Sequence, residues 1–328
     1  MADKQATRVA YGNALVEFAQ EYPELVVLDA DLTGSTKTAG FAKKYPERFL
    51  NMGIAEGGMI TTAAGLAAAG KHPFVNTFAI FASGRAWEQV RNSVAYPHLN
   101  VKVVGSHGGL SVGEDGATHQ ACEDMAIMRA IPGMTVICPC DGNEMRLAVK
   151  ALLEYDGPAY LRLGRGEVET VTTQREDYSF ELGRAATLRD GDDVTIIGNG
   201  MGVQLALEAA EKLARQGVEA RVVDMHTIKP LDWEAVEAAA FQTGCIVTVE
   251  EHSVIGGLGS AVSEYVVEHC PVPVERVGVM DEFGRSGKAD EVLEHYGLTA
   301  ANVAEAALRV LNRKYRCSID KALGLPQE

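Results

Sequence analysis

The stretch Phe49-Leu-Asn-Met-Gly-Ile-Ala-Glu-Gly-Gly-Met59 turns from a strand-like apolar run into a glycine-rich helix start around a single carboxylate, Glu56. Met52, Ile54 and Met59 flank it, an apolar helix is predicted over residues 60–69, and no Lys or Arg follows it within ten residues. Burial without a cationic partner penalises the charged form, so such a carboxyl stays protonated near neutrality and can donate a hydrogen bond. The same residues also read as a solvated helix-start glutamate stabilised by the helix dipole.

On either side of this stretch, apolar runs of strand length alternate with amphipathic stretches of helix length. Helices are predicted at 7–21, 82–94, 120–130 and 143–154, and strands at 25–28, 73–78, 101–104, 134–138 and 159–163. Such alternation implies right-handed crossovers and a mostly parallel sheet covered on both faces. A polar, Thr- and Glu-rich connection follows, and the alternation then restarts. Strands are predicted at 194–198, 220–223, 245–249 and 274–279, with helices at 202–216, 260–269 and 300–313. The fold class is therefore α/β in two domains, over residues 1–170 and 189–315, with a linker at 171–188 and a peripheral tail at 316–328. Arg189-Asp-Gly-Asp-Asp193 lies between two short predicted strands and reads as a hairpin turn rather than a diphosphate motif.

With 328 residues, each of two domains is long enough to bury its own core. The net charge of −15 argues against nucleic acid or anionic membrane as a partner, since basic patches hold both. It leaves phosphorylated small molecules open, because a few local arginines bind those. No apolar run approaches membrane-span length, the start has no signal-peptide pattern, and the reading is cytoplasmic. The six cysteines form no C-x-x-C pair, and Cys138-Pro-Cys140 reads as a strand end, so no metal ligands are assigned to this chain.

Two further stretches carry chemistry. Phe78 and Phe81 lie where a strand runs into a helix, a placement that suits either core packing or a slot for a flat heterocycle. Ser106-His-Gly-Gly-Leu-Ser-Val-Gly-Glu-Asp-Gly-Ala-Thr-His-Gln120 sets His107, Asp115 and His119 on a glycine-rich strand-end loop whose backbone can approach a substrate closely.

Asn51-Met-Gly-Ile-Ala-Glu56 with its Ala/Gly-rich helix resembles the pyrimidine-binding segment of the transketolase family of thiamine diphosphate enzymes. Gly113-Glu-Asp-Gly-Ala-Thr-His-Gln120 resembles that family's substrate loop, and Val249-Glu-Glu-His and Asp281-Glu-Phe-Gly resemble its C-terminal domain. The resemblance implies that Glu56 hydrogen-bonds the cofactor's aminopyrimidine and activates it, that Phe78 and Phe81 stack on that ring, and that Asp31 lies near the thiazolium. It implies substrate contacts from Asp115 and a catalytic His119, and a phosphate clamp of Arg8, Ser35, His107 and Arg165. Arg162, three residues before Arg165, competes for that last role. His252 reads as structural.

The family's Gly-Asp-Gly and later Asn, which hold Mg2+ and the cofactor's diphosphate, find no match between residues 1 and 328. The expectation is a split transketolase working in the pentose phosphate reactions. In it this chain supplies the activating glutamate, a partner subunit supplies the diphosphate and Mg2+ site, and two copies of each form a heterotetramer. Half of a deoxyxylulose phosphate synthase or of a 2-oxoacid dehydrogenase is the alternative within the cofactor class. A non-catalytic doubly wound regulatory module is the alternative outside it.

Overall fold

A computed structural model describes residues 4–175 and 177–323, the last eight of these by backbone alone. Two β-sheets dominate it. In spatial order the larger holds Thr227–Lys229, Thr135–Ile137, Ala159–Arg162, Lys102–Ser106, His72–Phe78, Leu25–Asp29 and Phe49–Asn51. All neighbours run parallel except Thr227–Lys229, which pairs antiparallel with Thr135–Ile137. The alternation along Leu25–Asp29 decides the layers. Val26 and Leu28 face the helix Glu56–Ala68 through Met59, Ile60 and Ala63. Leu25 and Val27 face the helices Thr7–Phe18 and Gly142–Glu154 through Tyr11, Leu15, Met145 and Val149. A strand buried on both faces needs apolar residues at every position, and this one is buried throughout.

The second sheet orders Val274–Val279, Ile246–Ser253, Val194–Gly198, Ala220–Asp224 and Ala186–Arg189, with only the last strand antiparallel. The helices Gly202–Ala214 and Ala300–Leu323 cover one face, and Trp233–Thr243 and Leu258–His269 the other. Both units are thus mostly parallel sheets with helices on both sides, as expected.

Several sequence expectations are corrected. Arg189–Asp193 is no hairpin: Ala186–Arg189 pairs with Ala220–Asp224, so the connection to Val194–Gly198 crosses over the intervening strand. The single helix over 82–94 is broken at Gly84 into Ala79–Ser83, Trp87–Gln89 and a π-helical turn Val90–Ala95. The helix expected at 120–130 spans only Asp124–Arg129, because Ala121 instead bridges Gly108 and accepts from the Gly109 N–H. The terminal helix runs on to Leu323, past the boundary expected at residue 315, and residues 324–328 lie outside the described ones. No described helix is long and apolar enough to cross a membrane.

Candidate active site

The larger sheet reverses its winding between Leu25–Asp29 and His72–Phe78, and in open α/β sheets the crevice at the strands' carboxyl ends beside such a switch point is where ligands bind. The candidate residues gather there. Asp31 follows one of these strands and Phe78 closes the other. Glu56 follows Phe49–Asn51, His107 follows Lys102–Ser106, and Arg165 follows Ala159–Arg162.

Glu56 opens its helix with only 4% of its surface exposed. The expectation of a carboxyl without a cationic neighbour is overturned. Arg85 Nη1 donates to Glu56 Oε1 at 3.1 Å, and the same guanidinium stands 4.0 Å over the ring of Phe81. The Arg85 N–H still bonds the Phe81 carbonyl at 3.1 Å, which sets Arg85 one helical turn beyond Phe81. The spacing of four from Phe81 was the available signal. Asp31 is tied to the approach of Glu56, since Asn51 Nδ2 donates to Asp31 Oδ1 at 2.9 Å.

Phe78 and Phe81 stack with centroids 5.9 Å apart and planes 13° apart. His107 lies on the other ring, 4.1 Å from Phe78, and His119 meets Phe81 edge-on at 5.5 Å. His107 is 3% exposed, and its Nδ1 shares a 2.8 Å hydrogen bond with Ser106 Oγ. Burial first, then the charges of Arg8, Arg165 and Lys37, push its pKa down to about 3. His107 is therefore a neutral hydrogen-bonding ring rather than a cation.

The cationic end is built by two arginines. Arg8, in the first turn of Thr7–Phe18, donates from Nη1 to the Ser35 carbonyl at 3.0 Å and from Nε to the Arg165 carbonyl at 3.2 Å. Burial and the neighbouring charge of Arg165 both lower the pKa of Arg8. Arg165 donates to the Val112 carbonyl and, at 3.3 Å, to Glu114 on the loop that follows His107. Of the non-glycine residues with positive φ among those described, Asp31, Lys37 and His107 lie in these loops, a strain typical of sites that fix side chains precisely.

The glycine-rich loop after His107 folds as the tight turn Leu110–Asp115, with Asp115 exposed and His119 half-buried. Residues that sequence reading missed hold it. Glu251 Oε1 accepts from the Ser111 N–H at 2.5 Å. Gln120 Nε2 donates to Leu110, Gly113 and Arg285 carbonyls at 3.2, 3.3 and 2.9 Å. At Gly116, with φ 75°, a Cβ would meet Ser286 Oγ at 2.3 Å, so only glycine suits both backbone and space.

Arg162 and His252 belong elsewhere. Arg162 is buried in an ion pair with Asp124 at 3.0 Å and donates to the Ala121 and Glu251 carbonyls. That leaves Arg165 as the arginine beside Arg8. His252 is fully buried, accepts from the Ala126 N–H at 3.3 Å and donates from Nδ1 to the Ser253 carbonyl at 2.7 Å. Burial lowers its pKa, so it joins the domains as a neutral ring.

Away from this crevice Cys140, Glu144 and Asp224 place ligand-type atoms within 4.8 Å of one another. Desolvation pushes the Cys140 thiol and the Asp224 carboxyl well up, and Tyr178 Oη donates to Glu144. Cys122, Cys138, Cys140, Cys245 and Cys270 are free and buried.

The signature "Transketolase, pyrimidine binding domain" matches residues 3–170, and "Transketolase, C-terminal domain" matches residues 183–303. A putative transketolase C-terminal section of Methanocaldococcus jannaschii is 49% identical over 94% of this chain and 96% of its own. A 6-deoxy-6-sulfo-D-fructose transketolase subunit of Clostridium sp. strain MSTE9 is 48% identical over 94% of this chain and 95% of its own. A solved split gene transketolase, described as an inactive β4 tetramer, superposes with TM-score 0.88 at 53% identity, covering 94% of this chain and 99% of its own.

Proposed function

The chain belongs to the transketolase family, and we propose that it is one subunit of a split, thiamine diphosphate- and Mg2+-dependent transketolase that moves a two-carbon ketol unit between sugar phosphates. One observation carries this reading: a buried carboxyl, a stacked aromatic pair and two neighbouring arginines lie at the strand ends beside the switch point of the larger sheet. Relatives of nearly this length that are named as sections or subunits support a partner polypeptide, which would hold Mg2+ and the diphosphate.

The residues fit an aminopyrimidine. Arg85 already makes, with a planar nitrogenous group, the stack on Phe81 and the hydrogen bond to Glu56 that such a ring would make. Thiamine diphosphate supplies a nucleophilic carbon that carries the ketol unit. Glu56 would meet the pyrimidine's ring nitrogen, and because that nitrogen accepts, the carboxyl has to donate, which requires its protonated form. Its burial excludes water from that exchange. Phe78 and Phe81 would hold the ring by its faces, and Asp31 would line the thiazolium side. On the substrate, His119 would hold and move a proton at the carbonyl oxygen and Asp115 would orient hydroxyls. Arg8, Ser35, His107 and Arg165 would hold the terminal phosphate.

The sulfofructose-processing relative shows that a subunit of this kind can serve a substrate with a different terminal anion. Phosphate is preferred here because two permanent cations stand at the pocket's end. The test is reconstitution. The chain, mixed with a partner bearing Gly-Asp-Gly and the later Asn, should transfer ketol units from xylulose 5-phosphate to ribose 5-phosphate with added cofactor and Mg2+. Cofactor-dependent turnover by the chain alone would refute the split assignment.

A further inference from the structure

We propose that Lys37 is a third cation at the anion end of the substrate pocket and that it biases the site towards dianionic phosphate monoesters over monoanionic groups of similar shape. The proposal rests on the assignment of Arg8, Ser35, His107 and Arg165 to the substrate's terminal anion.

The backbone at Lys37 is fixed from three sides. It ends the short helix Thr33–Thr36 in the left-handed region, at φ 67°, two residues beyond the Ser35 carbonyl that holds Arg8 at 3.0 Å. Its neighbours Thr36 and Thr38 both donate to Asp29 Oδ2, at 2.7 and 2.9 Å, and all three of these residues are buried. On its third side lies Gly12, in the helix that carries Arg8. A Cβ on Gly12 would meet the Lys37 carbonyl at 2.4 Å and its Cβ at 2.9 Å. The absent side chain at Gly12 lets Lys37 settle directly on that helix, so the spacing between Lys37 and Arg8 is set by packing.

The side chain is half-buried, and among the described residues no carboxylate or hydrogen-bond acceptor holds its ammonium. A half-buried lysine without a counter-ion loses hydration and gains nothing in return unless an anion visits. Its charge acts in the crevice, because Lys37 is one of three cations, with Arg8 and Arg165, that disfavour a positive charge on His107. Of these three, Arg165 has a carboxylate partner, the exposed Glu114 at 3.3 Å. The site thus offers more than one unit of uncompensated positive charge around a neutral imidazole. A phosphate monoester above its second pKa, near 6, carries close to two negative charges and a sulfonate carries one. Coulomb energy scales with that charge, so Lys37 favours the former.

The experiment uses the full chain, since every residue of this anion site lies on it. Ribose 5-phosphate, its 5-deoxy-5-sulfonate analogue and ribose are titrated into wild type, Lys37→Met, Lys37→Arg and Arg165→Ala, with dissociation constants read by NMR. Lys37→Met keeps the Cβ packed against Gly12, and its fold is checked by the amide spectrum. It should weaken ribose 5-phosphate by roughly tenfold. The sulfonate should weaken by about threefold, since half the charge gives half the free energy, and ribose should not change. Lys37→Arg should restore the phosphate preference. Lowering the pH through about 6 should shrink the difference between phosphate and sulfonate, and by less in Lys37→Met, which keeps only Arg8 and Arg165, than in wild type. If Arg165→Ala weakens ribose 5-phosphate while Lys37→Met does not, Lys37 has no part in the site and the proposal falls with the clamp intact. If wild type does not distinguish ribose 5-phosphate from ribose, the clamp itself fails and takes the proposal with it.

Discussion

Arg85 and Glu56, twenty-nine residues apart, meet at 3.1 Å with the carboxylate nearly buried and the guanidinium half exposed. Arg85 takes Glu56 Oε1 as an acceptor, and a bare ring nitrogen needs the group as a donor, so one carboxyl serves both only when it is protonated and donates through Oε2.

Glu56→Gln keeps the shape and a donor but removes an acid able to pass a proton. In the reconstituted enzyme, hydrogen–deuterium exchange at the cofactor's thiazolium carbon should slow by about 100-fold or more, with assembly intact. Arg85→Met should tighten cofactor binding, by roughly fivefold, by removing the competing hydrogen bond. Unchanged exchange in Glu56→Gln would move the activating role elsewhere.

Arg165→Ala should cost about 1.5 to 3 kcal/mol of binding, the range for a hydrogen bond to a charged group. The loss should appear as a raised KM for phosphorylated sugars, with unphosphorylated ones little affected. Equal weakening of both classes would show that Arg165 does not read the phosphate.

His107, held down to about 3 by burial and three cations, binds a proton far more readily once unfolded. Between its ordinary value near 6.5 and that lowered value the unfolded state takes up more protons, so acid should erode stability in this window. His107→Asn should flatten that part of the urea-unfolding profile. The KM for sugar phosphates should show no inflection from His107 between about pH 5 and 8.

Glu250 carries the opposite slope. Its buried carboxyl is pushed up to about 7 by desolvation, although it accepts the Leu258 and Gly259 N–H groups at 2.7 and 2.8 Å. The folded state holds the proton longer than the unfolded chain does. Stability from this group is therefore full below about pH 4.3 and is lost towards pH 7, by at most about 1.4 kcal/mol per pH unit. Glu250→Gln should be less stable at low pH yet show a shallower fall, measured by denaturant unfolding across that range.

Much of this was legible because strand ends and helix starts announce themselves locally. The unbroken apolar run through residues 25–28 marked a strand, and the glycines around His107 a loop able to approach a ligand. What sequence could not show was long-range pairing. Thr227–Lys229, three residues from the second half, joins the edge of the first sheet, and so short a strand has no period to detect. The apolar surroundings of Glu56 were readable, but Arg85 arrives from a separate segment twenty-nine residues on, one turn beyond Phe81. Arg162 and Arg165 look alike in the chain, and only burial against Asp124 separates them.

The turn Leu110–Asp115 takes its form from outside its own domain: Glu251 grips Ser111, and Gln120 reaches the carbonyl of Arg285. The second domain is the mould in which the first domain's loop is cast. A fragment ending at residue 170 would retain the glutamate and the aromatic pair on a complete parallel core, yet its Leu110–Asp115 turn would have lost its template. Loss of the Glu251 carboxylate should therefore surface as a displaced Leu110–Asp115 turn, a fault written in one domain and read out in the other.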